Sequence, residues 1–127
     1  MNMRTKQITI PVLLLGVTLC MGPGCSRNAA PEPLAEDQVV PALEAVFKDA
    51  SVELKAISSE VVSNLQAKAS QQAFTGLNAL SGRPDLTTKQ RQTVARSLIS
   101  VNEQLQQAAA TGNTEAASTL GNYRARK

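Results

Sequence analysis

Apolar residues recur at helical spacing through the middle of the chain. Leu43, Phe47, Ala50, Leu54, Ile57 and Val61 follow one another by steps of four and three. That spacing lays one apolar stripe along one side of a helix, the pattern of a coiled-coil seam. It runs on through Leu65, Ala69, Ala73, Leu77 and Leu80, where steps of four carry the stripe slowly around the helix. No stretch alternates apolar and polar residues as a half-buried strand would. Pro41 suits a first helical turn, so the first helix is expected to start there and run to Leu80. A short turn over residues 34–39 precedes it, and Thr75-Gly76 is its weak point.

Ser81-Gly82-Arg83-Pro84-Asp85 breaks this arm. Gly82 is expected to end the helix in the left-handed conformation, and Pro84 cannot continue it. Thr87 and Gln90 have the spacing of a capping box and start a second arm, with Val94, Leu98, Val101, Leu105 and Ala108 as its seam. Gly112-Asn113 ends that arm, and Thr114 is expected to cap a last helix running to about Arg124. The expected fold is all-α: a helical hairpin with a short third helix, coiled-coil-like. The arms are unequal, at about 60 Å and about 35 Å for 1.5 Å per residue. The first must bend, lie partly under the last helix, or meet another chain. Alanine makes up much of the apolar content, so a marginal monomer or a homo-oligomer joined through the seams is expected.

Composition removes many activities. The chain has no histidine and no tryptophan, and Phe47, Phe74 and Tyr123 are its only rings. Histidine-based nucleophile systems, histidine zinc sites and imidazole bases are excluded. Three rings do not make a stacking platform for single-stranded nucleic acid. There is no S-x-x-K dyad, phosphate-binding loop or dinucleotide fingerprint. The expectation is a non-enzymatic protein with no catalytic residue, no cofactor and no metal. Asp49 and Glu53 stand one helical turn apart and read as solvated carboxylates, as Lys89, Arg91 and Arg96 read as solvated cations. Charge is unevenly spread. Residues 32–60 hold seven carboxylates against two lysines, and residues 61–127 hold eight cations against three carboxylates. Halves of opposite sign can attract if the chain folds back on itself.

The N-terminus is of a different kind. Arg4 and Lys6 precede an apolar run from Ile8 to Met21, followed by Gly22-Pro23-Gly24-Cys25-Ser26. A basic start, a short apolar run and small residues before a cut site make an export signal. The run falls short of the ~20 residues a spanning helix needs. These residues resemble a bacterial lipoprotein precursor, whose apolar run ends in a lipobox closed by cysteine. Gly24 before Cys25 fits that pattern, while Gly22 and Pro23 depart from it. The resemblance implies a signal peptide over 1–24 and lipid on Cys25, with a lipidated, flexible tether over 25–40. The helical domain would then occupy 41–127. Several acyl chains on one cysteine anchor stably, where a single chain does not. Removal of Arg4 and Lys6 leaves the +3 chain almost neutral, which weakens any nucleic-acid reading. Cleavage after Asn28-Ala29-Ala30, giving a secreted chain, and an uncleaved anchor are the alternatives.

The ends of the mature chain, Cys25-Ser-Arg-Asn-Ala29 and Tyr123-Arg-Ala-Arg-Lys127, also resemble murein lipoprotein, a lipid-anchored heptad helix. That resemblance implies a bond from the Lys127 side chain to peptidoglycan. Otherwise Arg124, Arg126 and Lys127 are cations favoured by a helix C-terminus. The sequence thus reads as a small lipid-anchored protein of a bacterial cell envelope, on the outer membrane or periplasmic face. Its partners would be a membrane through the lipid, and a protein or peptidoglycan. The alternatives are a peptidoglycan tether and an accessory subunit of an envelope enzyme.

Overall fold

A computed structural model describes residues 30–127. The expected signal segment, 1–24, and both cysteines, including Cys25, lie outside the described residues. Within them, all regular structure is α-helical, as the spacing requires. Five helices follow in order: α1 (Glu36–Phe47), α2 (Val52–Gln66), α3 (Ser70–Ser81), α4 (Thr88–Ala110) and α5 (Thr114–Ala125). The expected first arm is therefore three helices, each turning back on the one before.

Helix α1 starts at Glu36, earlier than Pro41, and carries Pro41 inside it. An interior proline costs about 3 kcal/mol by removing a backbone bond and crowding the preceding turn. Burial offsets this cost. Leu34 and Val39 are buried with Leu43 and Phe47, and a fully buried aliphatic side chain contributes about 1.5–3 kcal/mol. Residues 34–40, placed in the tether by sequence, are thus part of the fold. Glu36 and Asp37 supply negative charge to the first turn of α1, where the helix dipole favours it.

After α1 the chain turns through residues 48–51, and the Ser51 hydroxyl accepts a hydrogen bond from Leu54 N to cap α2. Helix α2 ends where Lys68 takes a φ of 60°, in the left-handed region. Helix α3 closes at Gly82, whose φ of −81° is right-handed, contrary to expectation. Arg83 N donates to Leu80 O there, and Pro84 blocks a further turn. The capping box is present: Gln90 N donates to Thr87 Oγ1 (3.2 Å), and Thr87 N donates to Gln90 Oε1 (2.9 Å). Gln90 Nε2 also donates to Val46 O (3.2 Å), tying the start of α4 to the end of α1. Asn113, not Thr114, caps α5, with Oδ1 accepting from Ala116 N (3.0 Å).

Helices α1 to α4 close a ring in which α1 meets α2, α2 meets α3, α3 meets α4 and α4 meets α1. Cross-links show that ring neighbours run antiparallel. Lys68, just beyond α2, reaches Glu36 at the start of α1, and Arg83, just beyond α3, reaches Glu53 at the start of α2. Ser70 at the start of α3 lies within reach of Gln104, far along α4. This is an up-down four-helix bundle with short connections. Helix α4 is the longest, and α5 folds back along it. Leu43, Val61, Leu77, Leu80, Val94 and Val101 form the centre of the core. On α4 the inward stripe contains Ser97 where the sequence suggested Leu98, which is only half-buried. The Ser97 hydroxyl is buried without a hydrogen-bond partner among the described residues.

Candidate functional site

Two places bear on how this fold meets its surroundings: the point where the chain joins the bundle, and the open end of α5.

At the first, residues 32–34 lie along α4. Arg96 Nε donates to Glu32 O (2.9 Å), and the Ser100 hydroxyl donates to Leu34 O (2.8 Å). Leu34 and Ser100 are buried. Arg96, expected to be merely solvated, is a fastener for the incoming chain. Sequence offers no signal for this, because donor and acceptor stand far apart and the acceptors are backbone carbonyls.

The charged halves meet in only two exposed ion pairs, Lys68–Glu36 (3.2 Å) and Arg83–Glu53 (3.0 Å). Arg83 also holds Asp85 through Nε (3.0 Å) and a terminal nitrogen (2.9 Å). Hydrogen bonding from Arg83 keeps the Asp85 carboxyl below its usual range. The same bonds push the Arg83 guanidinium further up. Solvent screens these groups, so they orient the α3–α4 loop against α2 more than they stabilise the fold. Glu53 thus turns to Arg83. Among the described residues, no group of three or more metal-binding side chains occurs. No helix among them is long and apolar enough to cross a membrane.

At the second place, α5 leans on α3 through two of the three rings. Phe74 and Tyr123 meet edge to face, with centroids 5.2 Å apart at 78°. Such a pair adds about 0.5–1.5 kcal/mol beyond its buried area. The Lys127 amine lies over the Tyr123 ring, 4.9 Å from its centroid. The residue singled out for peptidoglycan attachment is therefore exposed at the chain end, with its amine resting on an aromatic face. A cleft of about 480 Å³ opens beside it between α3 and α5. Cys25, the residue expected to carry lipid, lies outside the described residues. No protein-family model, curated protein or solved structure matches this chain.

Proposed function

We propose that this chain is a small lipid-anchored protein of a bacterial cell envelope, acting as a non-enzymatic structural or interaction module. The observation that carries the reading is Gly24-Cys25, standing just after the apolar run Ile8–Met21 and its basic start. Lipid on the Cys25 thiol would fix the chain to a membrane. The link from Cys25 to the Arg96-bound carbonyl of Glu32 spans about 25 Å at full extension. The bundle would then sit within about that reach of the lipid surface, joined to it through the segment that is fastened on α4 at residues 32–34. Metabolic labelling with a palmitate analogue tests this. Wild type should take up label and Cys25→Ala should lose it. Equal labelling of the two would overturn the anchor.

A further inference from the structure

The direction in which the chain enters the bundle decides which end lies nearer the anchor. Glu32 O is held by Arg96, and Leu34 O by Ser100, one helical turn further along α4. Residues 33–36 then line a cleft with Ser100, Glu103, Gln104 and Gln107. Residues 32–36 therefore run along α4 toward its C-terminal end, and α1 returns to put Val46 O on Gln90. Traced backward, this segment leads toward the start of α4. At 1.5 Å per residue, Thr88 at the start of α4 lies about 12 Å from Arg96, and Ala110 at its end about 21 Å. Residues 25–31 reach about 25 Å at most. Setting the start of α4 on the lipid uses half of that reach. Setting the other end down uses nearly all of it and makes the chain double back over residues 32–36.

The two ends also differ in charge. Side chains in a helix's first turn lean outward over the end where it starts. The α1–α2 and α3–α4 turns, each with the first turn of the helix that follows, carry Lys48, Lys55, Arg83, Lys89 and Arg91 against Asp49, Glu53 and Asp85. Arg83 holds Glu53 and Asp85, and the other four cations are in no ion pair among the described residues. The opposite end, counted in the same way with the start of α1, carries Lys68 against Glu36, Asp37 and Glu115. Among the large apolar side chains of the described residues only Val52 is exposed, at 85%. It is the first residue of α2, at the basic end.

We infer that the bundle stands on the lipid surface on the end formed by its α1–α2 and α3–α4 turns. Lys48, Lys55, Lys89 and Arg91 meet the phosphates of anionic lipid, and Val52 enters the interfacial layer. The acidic end faces away from the membrane. This orientation rests on the lipid anchor proposed for Cys25.

The test is amine labelling of the full chain, extracted from its own membranes and placed in lipid nanodiscs. One set of discs is phosphatidylglycerol mixed equally with phosphatidylcholine, and the other is phosphatidylcholine alone. Each lysine's rate is divided by its own rate in detergent, and mass spectrometry of a digest reads all sites together. In the charged discs Lys48, Lys55 and Lys89 should be slowed about threefold or more relative to Lys68. The contrast should shrink in the uncharged discs. Val52→Asp should weaken it. Gln72→Asp, at an exposed position in the first turn of α3, adds the same charge at the opposite end and should leave it unchanged. Aspartate suits a first helical turn, so both variants keep the fold. Equal slowing at the two ends, greater slowing of Lys68, an equal contrast in the two lipids, or an equal effect of the two variants would each overturn the inference. The N-terminal peptide of the same digest reads the anchor separately. A Cys25 without lipid overturns the anchor, while the lysine pattern still decides which end of the bundle meets the lipid.

Discussion

The chain reverses after α2 and again after α4 with the same backbone bonds and different residues. After α2, Ala69 N donates to Asn64 O (2.8 Å) and Lys68 N to Leu65 O (3.1 Å). After α4, Asn113 N donates to Ala108 O (3.0 Å) and Gly112 N to Ala109 O (3.1 Å). Both have the six-to-one bond of a Schellman ending, which needs one residue at positive φ. Gly112 takes it at 96° without a Cβ, and Lys68 takes it at 60° with one. A side chain there costs about 1–2 kcal/mol. The first reversal is imposed from outside the turn: it presses α3 onto α2, which buries Val61, Phe74 and Leu77 in the shared core. The second reversal follows local preference, and α5 packs onto the bundle with fewer buried residues.

The largest expected effect breaks the close approach behind the first reversal. A Cβ built at Gly76 would come within 2.5 Å of Val61 Cγ2, and Val61 is fully buried. Gly76→Ala should therefore cost about 1–3 kcal/mol through overpacking. On the other side of the comparison, Gly121 in α5 faces open space. Gly121→Ala should gain about 0.5–1 kcal/mol from helix propensity. Thermal unfolding of the two variants reads both signs. Equal effects would mean that α2 and α3 are not in this contact.

Exchanging the two turn residues sharpens the comparison with smaller effects. Gly112→Ala should cost about 1–2 kcal/mol, because alanine must adopt a positive φ. Lys68→Gly should gain about 0.5 kcal/mol, relief of strain outweighing the added freedom of the unfolded chain. Its exposed pair with Glu36 adds little to the balance. Chemical denaturation resolves both. A loss of stability in Lys68→Gly would show that the left-handed position is not what strains this turn.

Helix α4 was legible in sequence because its ends carry local chemistry: the Thr87–Gln90 capping box and Gly112-Asn113. The three-part first arm was not. Its stripe runs on through the turns because Leu43, Leu54, Val61, Leu77 and Leu80, on three separate helices, all face one core. Ala50 lies in a turn and Ala69 is only the residue before α3, yet Ala50 keeps the heptad spacing and Ala69 the steps of four that follow it. No glycine or proline marks Lys68 as a break, and only tertiary contact makes it one. Gly82 misled in the opposite sense, since Pro84 already stops α3 and no left-handed residue is needed. The Lys127–Tyr123–Phe74 contact depends on α5 folding back beside α3, which spacing along the chain does not reveal. The fastening of residues 32–34 by Arg96 and Ser100 was hidden for the same reason.

Intact-mass spectrometry of the protein extracted from its own membranes tests the proposed anchor most directly. The account predicts a mature chain that begins at Cys25 and carries a diacylglyceryl thioether on that residue. A chain that retains residues 1–24, or begins at Pro31, or begins at Cys25 with a free thiol, would contradict it.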